Sequence, residues 1–214
     1  MHPAAGLPLA YLAGSIPAAY LAGKAKGIDL RQHGSGNLGA TNVWRVLGPA
    51  IGVSVFAFDA AKGALPVFYF PRVFPSAHPE LWAIAYGVAA IAGHVRPIFL
   101  LGKGGGKGVA TAAGVFLGLA PVPLLVSLAV FVLTLKLSGY VSLGSLLAAL
   151  ALPIAVLLTL GARSPIFWVS VVLSAFVFYT HRANIGRLRR GEEHRFGKKK
   201  PKDPTDGDAG GGTS

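Results

Sequence analysis

Five stretches of this chain, residues 3–23, 49–70, 81–100, 141–161 and 165–181, are apolar almost throughout. Each runs for about the length that crosses the hydrocarbon core of a bilayer, roughly 20 helical residues. A sixth stretch, 110–136, is longer and carries Pro121 and Pro123 near its middle. A soluble domain of 214 residues has no interior large enough for so many apolar side chains. Only 13% of the residues are charged, where soluble domains carry about 25%. The chain therefore reads as all-α and polytopic, an integral membrane protein whose backbone polar groups are satisfied within helices.

Charge decides how the long stretch is used. Lys24, Lys26, Arg31 and Arg45 follow the first apolar segment, Arg96, Lys103 and Lys107 follow the third, and a run of basic residues from Arg182 to Lys202 follows the last. The alternate loops offer only Arg72 and Arg163. Positive residues favour the cytoplasmic side, and all three clusters share it only if 110–136 crosses twice. That predicts seven transmembrane helices, two of them short (110–120 and 122–136), with the N-terminus outside and the C-terminus cytoplasmic. Residues 1–197 form one transmembrane domain, and 198–214 a polar tail expected to be disordered. The N-terminal segment lacks a basic n-region and is expected to be a retained span.

Several chemistries drop out. No cysteine is present, so disulfides, thiol catalysis and thiolate metal sites are excluded. The six histidines form no HExxH or other close ligand spacing, and no metal or cofactor is expected. With 20 basic against 8 acidic residues the formal charge is +12; in a membrane protein this speaks of orientation and anionic lipid, not nucleic acid.

Within this apolar chain, residues 34–45 read GSGNLGATNVWR. Gly34, Gly36 and Gly39 let the backbone turn tightly and present N–H groups. Ser35, Asn37, Thr41 and Asn42 add compact hydrogen-bonding groups, and Arg45 adds a planar fork suited to phosphate or carboxylate. Thr41, Asn42 and Arg45 share one helical face by spacing. An oxyanion-binding loop explains the stretch better than a simple helix cap, which needs one Ser or Asn.

Residues 93–111 read GHVRPIFLLGKGGGKGVAT. The Walker A pattern fails, because residue 101 is Leu and Gly108 follows Lys107. Lys103 and Lys107 can still neutralise a phosphate that Gly105 and Gly106 cradle; the plainer alternative is a basic loop on lipid headgroups. Thr111 either caps the next helix or touches ligand. His94 is open to three roles: general base, donor to a phosphoryl oxygen, or buried link between helices.

After the last span comes HRANIGRLRRGEEHR, residues 181–195. An ordinary stop-transfer cluster accounts for its arginines but less well for Asn184, which can orient a hydroxyl or phosphate; Arg187 lies three residues on. Asp59 and Lys62, at i, i+3 in the second span, read first as a structural ion pair, with a role in binding a polar headgroup as the alternative. Ser142 reads as facing the site and Ser145 as a packing residue. Trp82, Tyr86, Trp168 and Tyr179 are interface anchors or packing. The groups suit an amphipathic substrate that carries phosphate. Transport of a phosphorylated solute fits less well, since the polar groups crowd one side.

These segments carry a resemblance. GSGNLGATNVWR resembles the GSGNxGxTNxxR motif of the bacterial membrane glycerol-3-phosphate acyltransferases that use acyl phosphate as donor. GHVRPIFLLGKGGGKGVAT is similar to their GHxxPxF…KGGKGVAT segment, and HRANIGRLRRGEEHR to their NIxRLxxGxExK tail; Asp59, Lys62 and Gly63 match a D-x-x-K-G pattern. The chain departs in having three glycines between Lys103 and Lys107 where the family usually has two, Gly102 where Phe is usual, and Arg195 where Lys is common.

The resemblance implies a seven-span fold in the bacterial inner membrane with an interfacial, cytoplasmic site. It implies acyl transfer from acyl phosphate to the sn-1 hydroxyl of glycerol 3-phosphate, and coupling to a soluble enzyme that makes the acyl phosphate. Ser35, Arg45, Lys103 and Lys107 are then assigned to phosphate, with Gly36, Gly105, Gly106, Thr111, Arg187 and Glu193 beside them. Asn37, Thr41 and Asn42 shape the binding site. His94, His181, Asn184 and Ser142 are the candidates for the catalytic groups.

Overall fold

The computed structural model describes residues 2–196; the tail 198–214, expected to be disordered, lies outside them. Ten α-helices follow in order among the described residues: α1 (Gly6–Ser15), α2 (Ala18–Ala25), α3 (Ala40–Leu47), α4 (Pro49–Val73), α5 (Pro79–Val95), α6 (Val109–Leu119), α7 (Pro121–Ser138), α8 (Val141–Leu160), α9 (Pro165–Thr180) and α10 (Arg182–Arg189). Proline opens α4, α5, α7 and α9, a position where its missing N–H is no loss. Ser164 caps α9 by accepting from the Ile166 N–H at 3.2 Å.

Five segments are long and apolar enough to cross a membrane: Pro3–Ala25, Pro49–Val73, Pro79–Leu100, Pro121–Ser138 and Val141–Leu160. A sixth is reached if α9 and α10, bent by 59°, are one span. This is an all-α polytopic membrane fold with five to six apolar spans. The stretch 110–136 does divide, and the break falls at Ala120, where ψ of 75° leaves the helix. Only one of its halves is short. α7 has 18 residues, a full span, whereas α6 has 11 and buries Thr111, Ala112, Gly114, Val115 and Phe116 among its neighbours. The first expected span is also broken, at Ile16–Pro17 between α1 and α2.

Small residues set the packing. A Cβ on Gly14 would fall on the Ala90 carbonyl and one on Gly93 on the Tyr11 carbonyl, so α1 and α5 touch backbone to backbone. Gly63 meets the Thr111 carbonyl and Gly114 the Ala60 carbonyl in the same way, joining α4 to α6. The core between these helices is apolar, with Ile91, Val115, Phe116, Leu124 and Val156 buried. A second cluster of Leu30, Leu38, Val43 and Val55 anchors the polar loop between α2 and α3. Outward positions such as Leu158 and Val172 are exposed, as a lipid-facing surface requires. Tyr86 is packing, fully buried with its hydroxyl donating to the Pro3 carbonyl at 2.8 Å. Trp168 and Tyr179 are exposed instead, as an interface position demands.

Candidate active site

One cavity of about 530 Å³ opens among α3, α4, the loop before α6, α7, α8 and the segment after α9. Such a volume suits a small amphipathic ligand. Its polar wall brings together Ser35, Asn37, Thr41, Asn42 and Arg45 from the first motif, His94 and Lys107 from the second, and Ser142 from α8. His181, Asn184, Arg187 and Glu193 complete it. Its apolar wall comes from Val53 and Phe56 of α4 and from Phe131 and Leu135 of α7. Five of the expected residues do not line it: Gly36, Lys103, Gly105, Gly106 and Thr111. Lys103 is exposed outside the cavity, while Thr111 is fully buried beside Gly63.

Asn42 organises the first motif. Its amide nitrogen donates to the carbonyls of Leu30 (3.3 Å) and His33 (3.0 Å), and its oxygen accepts the Ser35 N–H at 2.8 Å. Arg45 reaches the same oxygen at 3.5 Å. The side chain is spent on folding the loop, so Asn42 shapes the site without a free group for ligand. Gly34 is required here: its φ is +63° and a Cβ would fall on the Asn42 oxygen. Arg45 stays exposed on the cavity side of α3, its charge unpaired by any carboxylate among the described residues.

A second network crosses the cavity floor. Lys107 Nζ donates to Asn184 Oδ1. Asn184 Nδ2 donates to Glu193 Oε1 at 2.7 Å, and Arg187 Nε donates to Glu193 Oε2 at 2.7 Å. Burial pushes the Glu193 carboxyl up, but the hydrogen bonds from Asn184 and Arg187 outweigh it and hold the group below the ordinary carboxylate range. Burial pushes the Lys107 ammonium down to about 8, with Arg187 and Arg45 adding to the fall and Glu193 opposing it. Arg45, Lys107 and Arg187 share the cavity wall with the carboxylates of Glu193 and Asp59, and Asp59 is already paired with Lys62, which leaves an excess of positive charge fit for phosphate.

The remaining candidates differ in what they offer. His181 is buried, and its Nδ1 donates to the Val177 carbonyl at 2.8 Å. The neutral ring thus carries its lone pair on Nε2. Ser142 Oγ is buried beside the Glu193 carboxylate without a hydrogen bond of ordinary geometry among the described residues, so the hydroxyl can turn to another oxygen in the cavity. Ser145 bonds back to the Val141 carbonyl at 2.9 Å, a packing arrangement.

A profile described as glycerol-3-phosphate acyltransferase matches residues 4–191. A glycerol-3-phosphate acyltransferase of Geotalea daltonii is 48% identical over 187 residues, 87% of this chain and 94% of the relative. That of Geobacter sulfurreducens is 46% identical over 188 residues, 88% and 94% of the two chains. The crystal structure of PlsY (YgiH), an integral membrane glycerol 3-phosphate acyltransferase in its glycerol 3-phosphate form, matches with a TM-score of 0.84 at 39% identity, covering 91% of this chain and 96% of that one. Its lysophosphatidic acid form gives 0.81 at 38% identity, with 91% and 95% coverage. The chain belongs to the glycerol-3-phosphate acyltransferase family.

In this acyltransferase fold the cavity also has members that were not among the expected site residues. Asp59, read as a structural partner of Lys62, lines it. So do Trp44, His194 and Phe196. The Phe196 N–H donates to the Gly139 carbonyl at 2.7 Å, its ring lies 4.9 Å from that of Trp44, and Arg195 Nε donates to the Tyr140 hydroxyl at 3.2 Å. Residues 192–196 thus strap the α7–α8 turn to α3 across the cavity. Aromatic and apolar residues beside a glycine-rich motif were the available signal, but they carry no hint of which partner they meet.

Proposed function

We propose that this chain transfers a fatty acyl group from acyl phosphate to the sn-1 hydroxyl of glycerol 3-phosphate, giving 1-acyl-glycerol 3-phosphate and phosphate, in the bacterial inner membrane. The observation that carries the reading is the convergence of three distant polar segments on one cavity that also has an apolar wall. Cations meet phosphate and the apolar wall meets the acyl chain. An acyl phosphate is already activated, so catalysis rests on placement and on charge stabilisation, with no covalent enzyme intermediate. The hydroxyl oxygen attacks the acyl carbonyl carbon, and the bond from that carbon to the phosphate oxygen breaks. The hydroxyl proton leaves with the phosphate or passes through a histidine.

Arg45, Lys107 and Arg187 hold phosphate oxygens in this reading. Ser142 and Asn184 orient the hydroxyl, and the lone pair on His181 Nε2 is placed to accept a hydrogen bond from it. Asn37 and Thr41 bound the glycerol. Glu193 repels phosphate and has both oxygens engaged, so its part is to hold Asn184 and Arg187 in place. Lys103 stands at the approach to the site, where it attracts anions at long range.

The charge pattern supports seven crossings, with α6 the single short one, N-terminus outside and C-terminus cytoplasmic. The site then faces the cytoplasm, where a soluble enzyme delivers acyl phosphate beside the exposed Arg182, Arg189 and Arg190. Purified protein should transfer acyl groups from acyl phosphate and not from acyl-CoA or acyl carrier protein. Equal turnover with a thioester would overturn the donor assignment, and uptake of glycerol 3-phosphate into sealed vesicles without acyl product would favour a transporter.

A further inference from the structure

Asp59 does more than pair with Lys62. The two lie 2.8 Å apart, and Lys62 also donates at 2.9 Å to the Ile16 carbonyl, which the break before Pro17 leaves outside a helix. The same carboxylate oxygen lies 3.5 Å from His94 Nδ1 on α5. All three side chains are buried, exposed by only 2% (Asp59), 5% (Lys62) and 6% (His94). An ion pair that merely supported the bundle would need no imidazole beside it, and one placed so deep is replaceable by apolar groups at little cost in stability.

The other edge of His94 meets the glycine run. The Gly106 N–H donates to the His94 carbonyl at 3.3 Å, and a Cβ on Gly106 would fall on His94 Nε2. A Cβ on Gly105 would fall on the Val95 carbonyl and lie 2.6 Å from the His94 carbonyl. The ring is therefore wedged between Asp59 and the run that ends on Lys107. Asp59 and His94 line the main cavity on one side. On the other they line a small second cavity, about 10 Å³, between the α1–α2 break and Gly104–Gly106.

We infer that Asp59 is a positioning residue for phosphate binding: its carboxylate, balanced by Lys62, holds the His94 ring against Gly106 and so sets where Lys107 meets the phosphate. The inference rests on the acyltransferase reading for its kinetic consequence but not for binding. It also accounts for glycines at 105 and 106, which stay out of the main cavity yet allow the ring and the loop backbone to touch.

The test uses the full-length protein in detergent and the pair Asp59→Asn/Lys62→Met, which removes both charges without stranding either. Three readouts are taken: binding of inorganic phosphate by titration calorimetry, kcat and KM for acyl transfer, and the midpoint of thermal unfolding. We expect near wild-type unfolding, phosphate affinity weaker by about tenfold, and KM raised more than kcat is lowered, an effect of about 1.4 kcal/mol. His94→Gln should weaken phosphate binding to a similar extent, and adding the Asp59/Lys62 changes to it should weaken binding no further, since one acts through the other. Wild-type phosphate affinity in the folded pair variant, or losses that multiply in the combined variant, would overturn the inference. Absence of acyl transfer in the wild-type protein, with phosphate binding still sensitive to Asp59, would defeat the reaction and leave the positioning role standing.

Discussion

Lys107 offers a sharp test, because the structure places its ammonium where its charge is costly to keep. Its pKa in the free protein falls to about 8, against about 10.4 for an unburied lysine. If the charged form binds glycerol 3-phosphate, kcat/KM should scale with the protonated fraction of free enzyme. That fraction is about 0.9 at pH 7 and about 0.1 at pH 9, so kcat/KM should fall about tenfold, or about 1.4 kcal/mol, across this interval. A lysine of ordinary pKa would lose almost nothing over the same range. The phosphate monoester, with its second pKa near 6, is already dianionic throughout.

The assay is acyl transfer at saturating acyl phosphate with varied glycerol 3-phosphate, from pH 6.5 to 9.5. Lys107→Arg should flatten the alkaline limb, since guanidinium stays charged. Stability moves the other way. The folded-state pKa lies below the unfolded one, so the unfolded chain binds more protons between the two values. The cost of burying this charge is then present below about pH 8 and is relieved as the pH rises from about 8 toward 10.4. A flat wild-type profile, or an unchanged alkaline fall in Lys107→Arg, would refute the reasoning.

Arg45→Ala removes a charge-assisted contact to phosphate worth about 1.5–3 kcal/mol, so KM for glycerol 3-phosphate should rise roughly 10- to 150-fold with the unfolding midpoint unchanged; normal KM would defeat its assignment. Asn42→Ala strands the carbonyls of Leu30 and His33 and the Ser35 N–H, and should destabilise the protein by about 3 kcal/mol in chemical unfolding. A loss of affinity for substrate with unchanged stability would instead make Asn42 a direct ligand.

Much of the site was legible because its residues cluster in short polar segments of an apolar chain. Arg45, Lys107 and Arg187 were readable one by one as cations suited to phosphate, and Asn184 as a group able to orient a hydroxyl or phosphate; the structure puts all four on one cavity. Their division of labour was not readable. Lys103 and Lys107 flank the same glycines, yet one is exposed outside the cavity and the other points in, since the path between them turns through a left-handed glycine at 104. Asn42 and Asn184 are chemically alike, but only their neighbours reveal that the first holds a loop and the second faces the cavity. Glu193 reads as a ligand group in the sequence, whereas the structure has its two oxygens accepting from Asn184 and Arg187. The break at Ala120 sits one residue before Pro121, where proline opens a helix more readily than it bends one.

The sequence by itself determined the solvent and the class of structure. Apolar runs of bilayer length leave helices as the only way to satisfy the backbone, and basic loops bias one face toward the cytoplasm. Only the tertiary structure decided which polar groups meet. Lys107 and Asn184 are 77 residues apart in the chain and touch because the loop before α6 meets the end of α9 and the start of α10, where the Thr180 hydroxyl also donates to the Lys107 carbonyl at 3.5 Å. That juxtaposition depends on helix backbones approaching closely at Gly14, Gly63, Gly93 and Gly114. Hydrophobic periodicity marks an apolar face, but it carries no record of the partner helix or of the depth at which the two cross.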